Sequence, residues 1–232
     1  EASYFLVVDK NNFYFIGSAQ DHKRVGENET GPNTGGMGAY SPAPIINNNL
    51  EKKIIHKIVK PTLTALRSKK NPYTGFLYVG LMIRDNEPYL IEYNVRMGDP
   101  ECQVIMPRLK TDLVKILNAA VENKLNKIKI KWIKDKCMTI VLCSKGYPNK
   151  YITNKKIILR KKKLSKNSFI FHAGTKRKNN LIFSSGGRVL SIVALGNNFL
   201  NIRNQIFKII KKINWKFGFF RKDIGWRVIK KK

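Results

Sequence analysis

Residues 90–103 read LIEYNVRMGDPECQ. An apolar run is followed at once by Glu92, Asn94, Arg96, Asp99 and Glu101, with Gly98 and Pro100 among them. Acidic side chains are scarce elsewhere: the chain has 15, against 45 Lys and Arg. In an extended strand, residues two apart point to the same face, so Glu92, Asn94 and Arg96 would project together. A carboxylate and an amide oxygen side by side are hard donors suited to Mg²⁺, which keeps its remaining positions for water and substrate phosphates. An Arg beside them offers a fork to an anionic oxygen. Phosphoryl transfer needs this kind of positioning and charge neutralisation more than covalent chemistry. On spacing alone, a polar strand edge followed by a GDPE turn fits as well.

A second stretch, 18–44, reads SAQDHKRVGENETGPNTGGMGAYSPAP. Its cluster Asp21, His22, Lys23 and Arg24 precedes a loop holding Gly31, Gly35, Gly36 and Gly38. Glycines let backbone approach a ligand closely and turn N–H groups toward an anion. The loop lacks G-K-[ST], so it is not a Walker A loop, and it is not G-x-G-x-x-G. A surface loop without a ligand is the alternative.

These residues need a scaffold. Alternation predicts strands over 3–9 and 12–18 around the turn DKNN, and a hairpin from 75–84 and 88–93 around DNE. Residues 19–44 are expected to be a long loop, a length that is usually functional or disordered. Apolar spacing at Ile54, Ile55, Ile58, Leu63 and Leu66 predicts a helix over 48–69, which Pro61 should kink or break. A helix from Thr111 to about Asn123 takes Thr111 as its N-cap. Composition shifts at 124–136 (KLNKIKIKWIKDK), read as a linker between domains at 1–123 and 137–232. Beyond it, short strands are expected at 137–143, 156–160, 168–172, 181–184 and 188–195, with a helix over 198–213. The basic runs at 160–163 and at the terminal IKKK read as solvated.

The 232 residues and 43% apolar content suffice for a real core. No apolar run approaches the roughly 18 residues of a membrane helix. A formal net charge of +30 suits a polyanion partner. The excess is mostly Lys, however, and travels with Asn and Ile, a set that AT-rich codons produce without function. No basic helix with interleaved aromatics accompanies it, so nucleic acid is not expected as a partner. Cys102, Cys137 and Cys143 have no metal-binding spacing and read as reduced thiols of a cytoplasmic protein. His22, His56 and His172 are too scattered for a zinc site. The chain opens on EASYFLVVDK, already in strand-like alternation, as if inside a fold.

Together the stretches QDHKR, TGPNTGGMGAYSPAP, GFLYVGLMI, EYNVRMGDPE and PRLKTDL resemble the glycinamide ribonucleotide synthetase (phosphoribosylamine–glycine ligase) family of the ATP-grasp superfamily. SKGYP, FHAGT, GGRVL and RKDIGWR continue the resemblance into that family's small C-terminal domain. The family signature is close to R-[LF]-G-D-P-E-x-[EQ]; here Met97 stands at its second position, a change a Leu or Phe pocket accepts.

The resemblance implies an α+β chain: the C-terminal half of an ATP-grasp domain, an antiparallel sheet with helices, followed by a small mixed β/α domain. It implies Glu92 and Asn94 as Mg²⁺ or Mn²⁺ ligands, with ATP as co-substrate and glycine and 5-phosphoribosylamine as substrates. It makes Arg96 the candidate for stabilising the acyl phosphate or tetrahedral intermediate. Lys23 and Arg24 become candidates for phosphate or carboxylate contacts, Asp21 and Asp99 for orienting the amine or these cations, and Gly35 and Gly36 for the nucleotide. It also implies that the family's N-terminal domain and nucleotide clasp are not in these residues, that the chain alone is inactive as a ligase, and that its first strands expose an apolar face. His172, Arg188 and Trp226 are expected to be structural, with Trp226 in the core. Two other readings stay open: a different ATP-grasp carboxylate–amine ligase, and a basic binding module on the same scaffold.

Overall fold

The computed structural model describes residues 1–160 and 164–229; most of the basic runs at 160–163 and 229–232 lies outside them. In chain order the strands are β1 (Ala2–Val8), β2 (Phe13–Asp21), β3 (Arg24–Gly26), β4 (Thr30–Asn33), β5 (Gly38–Ser41), β6 (Gly75–Arg84), β7 (Glu87–Asn94), β8 (Lys136–Ser144), β9 (Lys156–Leu159), β10 (Ser168–His172), β11 (Thr175–Lys178), β12 (Leu181–Ser184), β13 (Arg188–Gly196), β14 (Ile213–Asn214) and β15 (Gly218–Phe219). The helices are α1 (Asn48–Ile54), α2 (Lys60–Ser68), α3 (Cys102–Ile105), α4 (Leu113–Val121) and α5 (Phe199–Ile210), with a π turn at Ile55–Val59 between the first two. This is an α+β chain built on antiparallel sheets. None of the helices described is long and apolar enough to cross a membrane.

Two compact units interleave along the sequence. One comprises 1–20, 41–98 and 108–133, the other 21–40, 99–107 and 134–232. They cut the chain differently from the division read off composition, because 21–40 and 99–107 group with the C-terminal residues and 124–133 with the N-terminal ones.

In the first unit the sheet runs β2-β1-β6-β7. Every residue of β1 is buried, so the apolar face expected on the first strands is absent. The reason is position: β1 is central, paired with β2 on one side and β6 on the other, and strands covered on both faces read as continuous apolar runs. Tyr4, Leu6 and Val8 meet Leu50, Ile54, Ile58 and Leu63 of the helical layer in one core. A run of exposed apolar residues stands instead on the edge strand β7, at Tyr89, Leu90 and Ile91.

The helical layer runs from 48 to 68 without a break at Pro61. A proline lacks the N–H and crowds the carbonyl four residues back. The π turn just before it widens the helix there, with Lys60 N–H donating five residues back to Ile55 O, a common way to absorb such a residue. The β6–β7 hairpin closes on Asp85 and Asn86, both at positive φ (51° and 57°), as a two-residue primed turn requires. The cap of α4 is Asp112, not Thr111. Its carboxylate accepts from Val114 and Lys115 N–H, while Thr111 Oγ1 accepts from Lys131 N–H at 2.7 Å. The segment 124–133 is tied down as well: Leu125 is buried and its N–H donates to Asp9.

In the second unit β13 pairs with β8 and β10. The buried face of α5 (Phe199, Ile202, Ile206, Ile209, Ile210) shares one core with Ile140, Leu142, Leu190 and Ile192. A smaller sheet runs β11-β12-β9-β14. The expected long loop is not structureless: β3 and β4 pair as a hairpin around a short 3₁₀ turn at Glu27–Glu29. Short Gly- and Asn-rich strands carry too little apolar alternation to be read as such.

Candidate functional site

The sequence-predicted residues fall into two groups, one in each unit.

In the first unit β7 carries Glu92 and Asn94. Pairing with β6 shifts register between Leu90 and Glu92, so Ile91 is an extra residue bulged out of the ladder. Bulges re-aim side chains and are common beside active sites. Glu92 then stands opposite Gly80, where a Cβ would come 3.0 Å from Glu92 Cγ; the glycine leaves the carboxylate its room. Asn94 Nδ2 donates to Glu92 Oε1 at 3.0 Å, so the pair is drawn together on an open strand. This disposition leaves the Asn94 amide oxygen and the second Glu92 oxygen as two hard donors, a set that fits Mg²⁺ or Mn²⁺ completed by water and phosphate oxygens. Among the described residues, no group of three or more His, Cys, Asp or Glu could hold a metal. Arg96 is separated from the alternation, since β7 ends at Asn94. It is exposed and donates to Met97 O at 3.0 Å.

In the second unit the glycine loop and the Asp99 turn are joined by Arg188. Its guanidinium donates to Gly35 O (2.7 Å), Asp99 O (2.7 Å) and both Asp99 carboxylate oxygens (3.2 Å each). Gln103 adds a bond to Asp99 Oδ1. Gly35 N–H donates to Tyr147 Oη and Gly36 N–H to Thr34 Oγ1, so both amides are engaged within the protein. Gly36 has φ +115°, and a Cβ there would sit 2.4 Å from Pro100 Cδ. Gly36→Ala should therefore cost about 2–3 kcal/mol from strain and overlap. Urea unfolding of the two proteins measures it, and an unchanged midpoint would contradict the packing described.

The DHKR cluster divides. His22 is fully buried. Gly225 N–H donates to its Nε2 at 3.0 Å, so in the neutral ring the proton sits on Nδ1, which donates to Glu29 Oε1 at 3.1 Å. Glu29 also receives Arg221, Trp226 and Arg227. Arg221, almost wholly buried, pairs with Asp223 at 2.7 Å and donates to Arg24 O. Arg24 itself donates to Gly31 O. Arg227 donates to Asp21 O, and Lys23 O accepts from Thr34. Lys23 and Arg24 follow in sequence a buried His that holds the RKDIGWR segment through the Gly225 amide.

Sequence reading missed Glu29 and Arg221. The only signal was two acids in GENET within a basic chain, and nothing local ties Glu29 to a residue 192 positions away. Trp226 is not core. It is 49% exposed, with its indole N–H on Glu29, because an amphipathic ring can cover polar groups while keeping one face wet. His172 is exposed and meets Thr175 Oγ1.

Burial holds the His22 imidazole below its ordinary value of 6.5 despite Glu29 beside it. Protonation would also place a second N–H against the Gly225 amide. The folded state thus resists a proton that the unfolded chain accepts, so this contribution is present above pH 6.5 and is lost as pH falls below it. Glu29, lowered chiefly by its bond from His22, adds a further loss in the same direction at lower pH. The melting temperature should fall between pH 7 and pH 5.5. Ring ¹⁵N shifts should show His22 neutral, with Nδ1 protonated, at pH 6.5; a charged ring there would contradict this sign.

Comparison with known proteins adds the family. Residues 1–102 match the model for the phosphoribosylglycinamide synthetase ATP-grasp (A) domain, and residues 137–227 the model for the C domain of the same synthetase. The chain is 44% identical over 229 residues to a phosphoribosylamine–glycine ligase of Agrobacterium fabrum, covering 99% of this chain and 54% of that protein. It is 43% identical over 238 residues to a chloroplastic phosphoribosylamine–glycine ligase of Arabidopsis thaliana, covering 100% and 44%. The crystal structure of the Thermotoga maritima phosphoribosylamine–glycine ligase superposes with a TM-score of 0.81 at 31% identity, over 96% of this chain and 55% of that one. The chain spans about half the length of the bacterial relatives it matches. With both domain models matched in order along the chain, the chain belongs to the phosphoribosylglycinamide synthetase family, of which it carries the C-terminal half.

Proposed function

We propose that this chain supplies the metal and phosphate end of an ATP-dependent ligase that joins glycine to 5-phosphoribosylamine. The observation that carries the reading is the Glu92–Asn94 pair, drawn together on a bulged edge strand opposite a glycine. Mg²⁺ or Mn²⁺ held there would supply charge neutralisation at the ATP phosphates. A glycine carboxylate oxygen attacks the γ-phosphorus, giving glycyl phosphate and ADP. The amine nitrogen of 5-phosphoribosylamine then attacks the acyl carbon, and phosphate leaves with the carboxyl oxygen, giving glycinamide ribonucleotide. No protein nucleophile is required; orientation and oxyanion stabilisation carry the rate.

Within this scheme Arg96 stabilises the acyl phosphate or the tetrahedral oxyanion, which suits an exposed guanidinium just past the strand end. Lys23 and Arg24 contact phosphate or carboxylate oxygens, and Asp21 orients them or the amine. Asp99 positions the loop through Arg188. Gly36 acts by letting the loop approach Pro100 closely, and Gly35 by leaving room for the Arg188 guanidinium, rather than by donating to the nucleotide, since their amides are engaged. The family domains are assigned to 1–123 and 137–232 with 124–136 between them, and the reaction to the cytoplasm. The apolar residues exposed along β7 meet the part of the family protein not represented here.

The test mixes this chain with the N-terminal half of a bacterial relative, ATP, Mg²⁺ and both substrates, and follows ADP. Release that requires glycine, 5-phosphoribosylamine and both polypeptides is expected. Release that another small carboxylate or amine supports better would move the reading to a different carboxylate–amine ligase.

A further inference from the structure

A groove in the second unit plays no part in this chemistry. It has a volume of about 620 Å³ and runs between α5 and the segment that follows β15. Its apolar surface comes from Phe207, Ile210 and Phe220, the two rings lying 6.1 Å apart at 46°. Asn204, Lys208 and Lys211 on the helix and Lys222 on the other wall complete it, the three lysines all exposed.

Charge complementarity decides the occupant. α5 contains no acidic residue, and Asp223, next to Lys222, is committed to Arg221 and the Asn28 amide. The three ammonium groups therefore face solvent with no acid among the lining residues. A small ligand with a single anionic head would meet one wall only, because the cations stand on both. An apolar side chain flanked by acidic residues on either side would fill the floor and meet both walls. Aromatic anchors in a desolvated pocket carry most of the energy of such contacts, while the charges set rate and register. We propose that this groove docks an acidic protein segment bearing a large apolar anchor.

The test is fluorescence anisotropy of the whole chain with a fluorescein-labelled peptide of Glu and Asp residues around a central Trp-Leu pair. Saturable binding is expected, and the doubly substituted Lys208→Glu/Lys211→Glu chain should weaken it at least about tenfold, a loss of about 1.4 kcal/mol. Replacing the peptide's Trp-Leu by Ser-Ser should weaken it as much. Phe207→Gln, with its fold checked by circular dichroism, gives a second reading of the floor. Equal binding of the Ser-Ser peptide would overturn the proposal. So would an equal loss on Lys127→Glu/Lys129→Glu in the other unit, since either marks attraction to net charge alone. Stronger binding to phosphatidylserine vesicles than to the peptide, abolished by the same Lys208→Glu/Lys211→Glu change, would also overturn it, in favour of a membrane surface.

Discussion

Replacing Arg221 by Met should lower the unfolding free energy by about 3 kcal/mol, the low end of what breaking one partner of a buried pair costs. Arg221 is 1% exposed and serves two carboxylates at once, Glu29 at 3.1 Å and Asp223 at 2.7 Å, while donating to the Arg24 carbonyl. Met matches much of its volume, so the loss is electrostatic rather than a cavity. Among the described residues, Asp223 then keeps the Asn28 amide, and Glu29 keeps His22, Trp226 and Arg227. The residual partners, and the partial exposure of both acids, are why the low end applies. Adding Asp223→Asn to Arg221→Met should recover part of the loss, because the stranded charge goes with it. Urea unfolding of the three proteins measures both effects. A single-variant loss under about 1 kcal/mol would mean that the pair is worth no more than a surface bridge.

The second large effect is at the strand edge. Glu92→Gln keeps the shape of the side chain and removes the only carboxylate of the proposed two-residue donor set. Mn²⁺ affinity should fall at least about tenfold, since the other protein donor is a neutral amide. Asn94→Ala should fall less in charge but lose the partner that holds Glu92 in place. Electron spin resonance of free Mn²⁺ titrated with each protein reads this directly. Circular dichroism should show no loss of fold in Glu92→Gln, because the carboxylate is exposed and bonded only to Asn94 among the contacts described. Equal Mn²⁺ binding by the wild type and Glu92→Gln would remove the donor assignment.

Much of the local structure could be read from the chain, and the reason is visible element by element. Asp85 and Asn86 tolerate the positive φ that the hairpin demands, so the turn announces itself. The apolar stripe of α5 faces one core, so its helical period is clean. Glu92 and Asn94 share a strand, so their pairing follows from a spacing of two. Arg96 did not follow, because nothing in the residue types says that extension stops at Asn94. The loop 19–44 hid a hairpin whose strands, RVG and TGPN, have no alternation. The cap of α4 was misplaced by one residue because Thr111 and Asp112 are both good caps, and only the Lys131 amide decides between them. The fixed role of His22 was out of reach. Its partner across the ring is an amide 203 positions away, and Arg221 reaches Glu29 over a similar span. Such contacts are set by topology, and a single sequence carries no trace of them beyond the residue types.

Paramagnetic broadening by Mn²⁺ reports on the proposed divalent-cation site at Glu92 and Asn94 without any need for turnover. Amide ¹⁵N–¹H spectra of the wild-type chain would be recorded with sub-stoichiometric Mn²⁺, alone and with ATP. The steepest loss of signal should centre on residues 91–95 and on Gly80 across the ladder, and Glu92→Gln should abolish it. Broadening centred on Asp99 or Glu29 instead, with residues 91–95 unaffected, would contradict the proposed site.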